Sequence, residues 1–339
     1  MSAPGWSDFD ADIVAKLRGG DPAAINKAPD GGMQCPLAGH DEWLRWHAEG
    51  YTKGTQPHGE PPLTFRVSPT YILDDPLENF IAGRELVAGA LRGEWKKAET
   101  FRLGYENSED AVSWNVFRSL QQTGQLRRAA SVLAGVECEA EPELMLWGRR
   151  IDLDTTTPTP EIQKALDTLE PTHTQQTEPD VVLRVPDWGW IFVEAKLSSP
   201  TSTYADKPAK LEAWRQRYAD PTPGLFDTGA LASADHKTFP EQLLRNVAVA
   251  HAVRANGERA VVVALVRQRY ADVVRDWGVD YMAADAPVAT RSVTWEQLYA
   301  ALPPAGADLS TLRIYMERKS VGLLPAFDLA RQAALPDAR

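Results

Sequence analysis

Three residues within one short stretch of the chain have the types and the spacing of a metal-dependent hydrolytic site. Asp180 follows a proline, thirteen residues separate it from Glu194, and Lys196 lies two positions further on. Side chains alternate between the two faces of a β-strand, so Glu194 and Lys196 share a face if this segment is a strand. Residues 190–193 are apolar. Charged side chains in such a strand are costly unless they are paired or bind a metal.

The chemistry that these residue types support is the hydrolysis of a phosphodiester. Two adjacent carboxylates, Asp180 and Glu194, repel each other, and a hard divalent cation with oxygen ligands, Mg²⁺ or Mn²⁺, removes that repulsion. Lys196 can hold or help to deprotonate an attacking water, or stabilise the charge of the transition state. The hypothesis therefore requires that Asp180 and Glu194 lie on the same face of one sheet.

An antiparallel hairpin meets this requirement only if its turn has the right length. Residues 180–185 and 190–197 are predicted to be strands, and the turn residues of 186–189 lie between them. Directly opposed residues of an antiparallel pair share a face. An odd-length connection, or a bulge, places Asp180 on the face of Glu194, whereas an even connection places it on the other face.

The elements that must position this hairpin follow from hydrophobic periodicity and helix caps. Ser108 or Asn107 can cap the predicted helix at 107–121. The predicted helices cover residues 41–47, 76–97, 107–121, 211–218, 241–255, 295–302 and 324–335, and the further strands cover 144–147 and 259–266. This order predicts an α/β or α+β fold, with a mixed sheet flanked by helices and an N-terminal extension.

The acidic and basic residues of the hairpin resemble the motif of the PD-(D/E)xK superfamily, the restriction-endonuclease-like nucleases. Pro179 and Asp180 match the first half of the motif, and Glu194, Ala195 and Lys196 match the second half. The resemblance implies that the acids hold one or two divalent metals and that the backbone carbonyl of Ala195 is a further ligand. It also implies that the lysine works with the water nucleophile.

Two residues outside the hairpin also match the family's order of elements. Glu109 is similar to the family's metal-proximal glutamate, with Glu106 as its competitor, and Gln242 fits a supporting glutamine on the helix after the motif. The resemblance covers roughly residues 100–300. It predicts an N-terminal extension (1–98), a nuclease-like core (99–303, with an insertion at 203–236) and a C-terminal tail or helix (304–339).

Each of these residues also has a purely structural interpretation. Glu194 and Lys196 could form a surface salt bridge on an edge strand, and Asp180 could be a turn residue. Glu109 suits the positive end of a helix dipole whatever its other role. Gln242 could be a plain helix-surface residue. Arg245, on the same predicted helix, could contact phosphate or be solvated.

Other kinds of site have little support in the sequence. A zinc site would draw on Cys35, His40, His47 and His58, whose spacings match no common zinc pattern. The chain has no Gly-x-Ser-x-Gly, no Walker A sequence and no Gly-x-Gly-x-x-Gly. Serine hydrolases and nucleotide-driven or dinucleotide-dependent enzymes are therefore disfavoured.

The overall composition sets further limits. With 43% hydrophobic residues the chain can bury a sizeable core, and its two cysteines, the absence of a signal peptide and the lack of a long apolar run predict a soluble cytoplasmic protein. The net charge of −11 argues against coating nucleic acid with the whole surface. A local basic groove is still compatible with it, and the insertion contributes Lys207, Lys210, Arg215, Arg217 and, just after it, Lys237.

The sequence therefore predicts a metal-dependent nuclease, with DNA favoured over RNA as the substrate, in defence, restriction or repair, as a homodimer or with a partner protein. The alternative is a catalytically inactive binding or accessory protein on the same fold. That alternative gains support if Asp180 points away from Glu194, or if Lys196 is held in a structural ion pair. An unrelated fold follows if residues 180–185 and 190–197 form no hairpin.

Overall fold

The structure is a computed structural model of the chain. It describes residues 32–34, 43–49, 66–69, 76–91, 102–105, 107–171, 178–200, 208–235, 238–254, 257–303, 309–321 and 324–329. Within this part, no helix is both long and apolar enough to cross a membrane.

The described part of the chain is a series of short strands and helices. The strands are β1 Gly32–Gln34, β2 Trp43–Glu49, β3 Arg66–Pro69, β4 Glu143–Leu146, β5 Arg149–Ile151, β6 Thr156–Pro158, β7 Val181–Val185, β8 Gly189–Ala195, β9 Arg259–Val266, β10 Ala289–Thr294, β11 Ser320–Val321 and β12 Leu324–Pro325. The α-helices are α1 Arg84–Ala90, α2 Glu109–Gln122, α3 Leu126–Ala134, α4 Pro160–Leu169, α5 Pro208–Trp214, α6 Thr228–Ala232, α7 Glu241–Val253, α8 Ala271–Val274, α9 Trp295–Ala300 and α10 Ser310–Arg318. A π-helical turn, Arg215–Ala219, continues α5, and 3-10 turns cover Pro76–Asn79, Arg102–Gly104 and Gln268–Tyr270.

A seven-stranded mixed sheet is the centre of the fold. Its strand order is β10-β9-β8-β7-β4-β5-β6. Strands β8, β9 and β10 are parallel, and the pairs from β8 through β7, β4 and β5 to β6 are antiparallel. Every residue of β8 is buried. A strand that is buried on both faces needs helices on both sides, which is the predicted α+β arrangement.

The alternation of side chains along β8 divides the core into two layers. Ile191 and Val193 pack into a layer that also contains residues of α1, α2, α3, α9 and α10. Trp190 and Phe192 face the opposite way, into a layer with α4, α5 and α7. Glu194 continues the second set, because alternate residues of a strand share a face. The sheet therefore directs Glu194 towards α7.

Residues before and after the predicted core range join the first layer. The amide of Asn115 in α2 donates to the carbonyl of Asn79 at 2.7 Å, and Trp114 Nε1 donates to the carbonyl of Ala82 at 2.8 Å. Leu312 and Tyr315 of α10 belong to the same apolar cluster. Residues of 76–91 and of 309–316, with Ala326 and Phe327, thus contribute to the core that packs on the sheet, while the proposed domain boundaries stay a prediction.

Three of the predicted helices differ from the structure. Residues 43–49 are a strand, so the prediction of a helix at 41–47 is wrong. Residues 76–97 are interrupted, because a 3-10 turn and α1 are separate and residues 92–97 lie outside the described part. The predicted helix at 324–335 begins with the short strand β12, and residues 330–335 are not described. These segments are short or irregular in pattern, where periodicity distinguishes helix from strand poorly.

Several residues that the sequence singled out lie outside the described residues. They are Cys35, His40, His58, Glu106, Lys207 and Lys237. His47 lies on β2, where only the backbone is described. A zinc site formed by Cys35, His40, His47 and His58 therefore stays an untested alternative.

The turn before β8 imposes a backbone constraint at Gly189. Its φ is 142°, and an added Cβ would overlap the carbonyl oxygen of Arg259 on the neighbouring strand β9. We expect Gly189→Ala to lower the free energy of unfolding by about 3 kcal/mol or more, from strain and overlap combined. Gly124 is the matched control, since it also has a positive φ but nothing within 4 Å of an added Cβ. Gly124→Ala should cost about 1–2 kcal/mol. Equal losses in urea denaturation would contradict the close approach of β8 and β9.

Candidate active site

The hairpin of β7 and β8 has the register that the sequence hypothesis required. Val181 pairs with Val193 and Val185 pairs with Gly189, so three residues form the connection. The odd number extends the register to place Asp180 opposite Glu194. Asp180 Oδ2 accepts a hydrogen bond of 2.9 Å from the backbone N–H of Ala195. The side chain of Asp180 is thus directed across the hairpin to the end of β8.

Glu194 is a buried acidic residue, with 1% of its surface exposed. Its Oε1 lies 2.8 Å from Lys196 Nζ. Its Oε2 accepts a hydrogen bond of 2.8 Å from Asn246 Nδ2 and lies 3.6 Å from Arg245 Nη2. Burial by itself raises the pKa of this carboxyl, but attraction to Lys196 and Arg245 and the hydrogen bonds outweigh burial and lower it. Glu194 is therefore a carboxylate at neutral pH.

Lys196 lies between two carboxylates at the carboxyl end of β8. Its Nζ is 2.8 Å from Glu194 Oε1 and 3.5 Å from Glu109 Oε2. Burial opposes the charged form, yet Glu194, Glu109 and Asp180 together raise the pKa of the ammonium above its usual range. The interpretation of Glu194 and Lys196 as a surface salt bridge on an edge strand is wrong, because β8 is an interior strand and both side chains are buried.

Glu109 connects the start of α2 to the end of β8. It is the first residue of the helix, after the Ser108 cap. Its Oε1 accepts hydrogen bonds from the backbone N–H groups of Leu197, at 2.8 Å, and Ser198, at 3.2 Å. Glu109 therefore belongs to the same cluster as Lys196, and its role is more than that of an acid at a helix dipole.

Gln242 lies on the first turn of α7, the helix whose Asn246 contacts Glu194. Its Oε1 is buried and has no hydrogen-bond partner among the described residues. Asn246 follows one turn later on the same face of the helix. The structure thus brings together Asp180, Glu194, Lys196 and Glu109, and it places Gln242 on the adjoining helix without a hydrogen bond at its Oε1.

The sequence interpretation missed Asn246 and left Arg245 as either a phosphate contact or a solvated residue. Arg245 is 3% exposed and Asn246 is fully buried, so the alternative that Arg245 is solvated is wrong. A contact between Arg245 and phosphate stays untested. The signal that could have found them is a polar pair inside the otherwise apolar run of residues 243–250, because buried polar groups of this kind need partners.

Side chains from the segments after β9 and β10 donate hydrogen bonds to backbone carbonyls just after β8. Trp295 Nε1 donates to the carbonyl of Lys196 at 3.1 Å. The hydroxyl of Tyr270 donates to the carbonyl of Ser198 at 2.7 Å. The backbone that carries the site is therefore held from both sides of the sheet.

The carboxylate oxygens of the cluster are of the type that binds a hard divalent cation, but those of Glu194 and Glu109 contact the ammonium of Lys196. Asp180, Glu194 and Glu109 supply carboxylate oxygens, the ligands that Mg²⁺ prefers. In the described part of the chain, no three histidine, cysteine or acidic side chains already form a metal-binding group. The oxygens of Glu194 and Glu109 meet at Lys196 Nζ. A cation would have to replace part of this contact.

This ion pair also bears on the accessory-protein alternative. Lys196 is held by Glu194 and Glu109, as that alternative expects, while Asp180 points into the hairpin, as the nuclease hypothesis expects. A cluster of three carboxylates needs cationic partners in either case. The ion pair therefore does not distinguish the two functions.

Comparison with known families decides the class of protein. The model of a family described as restriction endonuclease associating with ARP matches residues 76–319. The chain belongs to this restriction-endonuclease family. The match contains all the proposed site residues and extends beyond the range of roughly 100–300 that the sequence motif suggested. Comparisons with curated proteins and with solved structures gave no match.

Glu194 should contribute strongly to stability because two buried cations depend on it. We expect Glu194→Gln, which keeps the shape of the side chain, to lower the free energy of unfolding at pH 7 by about 3–5 kcal/mol. Glu143→Gln is the control, because its partner Arg150 and Glu143 itself are about two-fifths exposed. That change should cost at most about 1 kcal/mol. Similar losses in urea denaturation would contradict the buried ion-pair network.

Wild type and Glu194→Gln can also be compared as a function of pH. The pKa of Glu194 is lowered in the folded state, so its contribution is complete above the unfolded value of about 4.3 and is lost as the pH falls through the folded value. The stability difference between wild type and Glu194→Gln should therefore narrow below about pH 4. A difference that stays constant down to pH 2 would show that Glu194 is not preferentially ionised in the fold.

Proposed function

We propose that the protein is a divalent-metal-dependent nuclease that hydrolyses phosphodiester bonds of nucleic acid, with DNA as the favoured substrate. The observation that carries the proposal is the convergence of Asp180, Glu194, Glu109 and Lys196 at the carboxyl end of β8. This convergence occurs in a chain of a restriction-endonuclease family, which supports nuclease activity and interaction with nucleic acid. The setting that we propose is restriction or another form of defence or repair.

The metal that the family implies would be Mg²⁺ or Mn²⁺. The carboxylates of Asp180, Glu194 and Glu109 and the backbone carbonyl of Ala195 would hold it. Bound there, a divalent cation acts as a Lewis acid and makes a water molecule a stronger nucleophile at neutral pH. The protein supplies the fixed positions of these oxygens on two strands of one hairpin and on the first turn of α2.

The part played by Lys196 follows from its position. Its ammonium is buried beside Glu194 and Glu109 and can donate to a third acceptor. A donor at this place is suited to hold the attacking water or to stabilise the charge of the pentacovalent transition state. Lys196 is thus a positioning and charge-stabilising residue of the proposed reaction.

A catalytically inactive binding or accessory protein on the same fold is the second candidate. The net charge of −11 favours it. The family's description names an association with ARP, so a partner protein is part of either proposal, as is a homodimer. Activity in the presence of metal separates the two candidates.

The decisive variant for catalysis is Asp180→Asn. The asparagine keeps an oxygen that can accept from the N–H of Ala195, so the fold is retained while the charge is lost. We expect metal-dependent cutting of plasmid and single-stranded DNA, in Mg²⁺ or Mn²⁺, to fall by at least about 100-fold. Lys196→Ala should also abolish it, whereas Asp187→Asn, in the exposed hairpin turn, should cut like wild type.

Each other outcome has a distinct meaning. Cutting that survives both Asp180→Asn and Lys196→Ala would place the active site elsewhere or reveal a contaminant. If wild type cuts neither DNA, the same assay with RNA and with the partner protein follows. Failure there would favour the accessory-protein candidate.

A further inference from the structure

Arg245 and Asn246 form a polar pair within an apolar stretch of α7 that is buried all round. All residues from 243 to 250 in α7 are buried, and the other six are leucine, valine or alanine. Arg245 is 3% exposed and Asn246 is 0% exposed. A buried amide or guanidinium without partners is strongly destabilising. The partners of this pair therefore indicate what the two side chains are for.

The hydrogen bonds of the pair fit only one orientation of the Asn246 amide. Asn246 Nδ2 donates to Glu194 Oε2 at 2.8 Å, and Asn246 Oδ1 accepts from Arg245 Nη2 at 3.0 Å and from Nε at 3.3 Å. A guanidinium only donates and a carboxylate only accepts. Turning the amide over would place oxygen against oxygen and donor against donor. The amide of Asn246 therefore has one consistent orientation, which Arg245 fixes.

With the amide in this orientation, the two oxygens of Glu194 have different partners. Oε2 is occupied by Asn246 and lies near Arg245, on the side of α7. Oε1 faces Lys196. The terminal torsion of a glutamate is otherwise broad, so a carboxylate without such partners can turn. The pair keeps Oε1 as the oxygen on the side of the site.

Ionisable groups of other elements also affect the charge of Arg245. The hydroxyl of Tyr218, on the π-helical turn after α5, donates to the carboxylate of Glu170 just after α4. Burial opposes the charged form of Arg245, but Glu194 and then Tyr218, Glu241 and Glu170 raise the pKa of its guanidinium. Arg245 is therefore a cation in this buried environment.

We propose that Asn246 and Arg245 are positioning residues that hold Glu194 Oε2, so that Glu194 presents a single oxygen, Oε1, to the divalent cation of the site. The inference rests on the proposed nuclease function and deepens it. Both residues act through Glu194 in this proposal. Partners of this kind, which orient a metal ligand, typically contribute about 10–100-fold in metal affinity.

The test is Mn²⁺ binding to the full-length protein, measured by calorimetry, for three variants of the pair. Asn246→Leu removes the amide at similar volume, and Asn246→Asp keeps the shape but turns an oxygen towards Glu194. We expect both to weaken Mn²⁺ binding by about 10–100-fold. Arg245→Lys keeps the buried cation but loses the two-point contact with Asn246 Oδ1, so it should weaken binding less.

The matched control is Val247→Ala, the next residue along α7, which is fully buried in the apolar layer. It should lower the thermal unfolding temperature while leaving the affinity for Mn²⁺ at the wild-type value. In cleavage assays at saturating metal, the Asn246 variants should lower kcat with little change in the KM for DNA. A purely structural role would predict that affinity follows stability across all four variants.

The possible failures can be told apart. If wild type binds Mn²⁺ and a folded Asn246 variant binds it equally well, the positioning role is overturned while the metal site stands. If neither Asn246 variant folds, the test falls to Arg245→Lys. A folded Arg245→Lys protein that binds Mn²⁺ as tightly as wild type would overturn the positioning role. If wild type itself binds no Mn²⁺, the metal site and this role both fail.

Discussion

The burial of one carboxylate, that of Glu194, is the constraint on which the rest of the structure depends. A charge near the end of a strand that is covered on both faces is tolerated only with close partners of opposite charge and with hydrogen bonds. Lys196 comes from the same strand, but Arg245 and Asn246 must be brought from α7. The docking of α7 on the sheet is therefore specified by polar contacts as well as by apolar packing.

The same contacts unite the candidate site with the frame that carries it. Glu109 accepts from the backbone of Leu197 and Ser198 and so attaches α2 to the end of β8. Trp295 and Tyr270 attach the segments after β10 and β9 to the same stretch. Few changes at this point can affect activity without affecting stability, which is the usual relation at functional sites.

The sequence predicted the site best where the rules are local. The turn length and the alternation along two strands determine whether Asp180 faces Glu194. The alternation can be read from the sequence, but the predicted strands left four residues, 186–189, between them, and the pairing of Gly189 with Val185 shortens the connection to three. The strand at 259–266 was predicted with its observed bounds because its apolar run is continuous. Strands β5 and β6 were missed, since three residues each are too few for a periodic pattern.

The parts that local rules could not reach depend on distant partners. Whether Arg245 is solvated or buried is decided by a carboxylate 51 positions earlier in the chain. The same holds for Glu109, whose acceptor role depends on backbone groups 88 and 89 positions away. The hairpin needs only its own turn to close, and short loops close at lower entropic cost than long ones. During folding, Asp180 and Glu194 can therefore become neighbours while both are still hydrated, and the removal of water from Glu194 is deferred until α7 arrives with its countercharge.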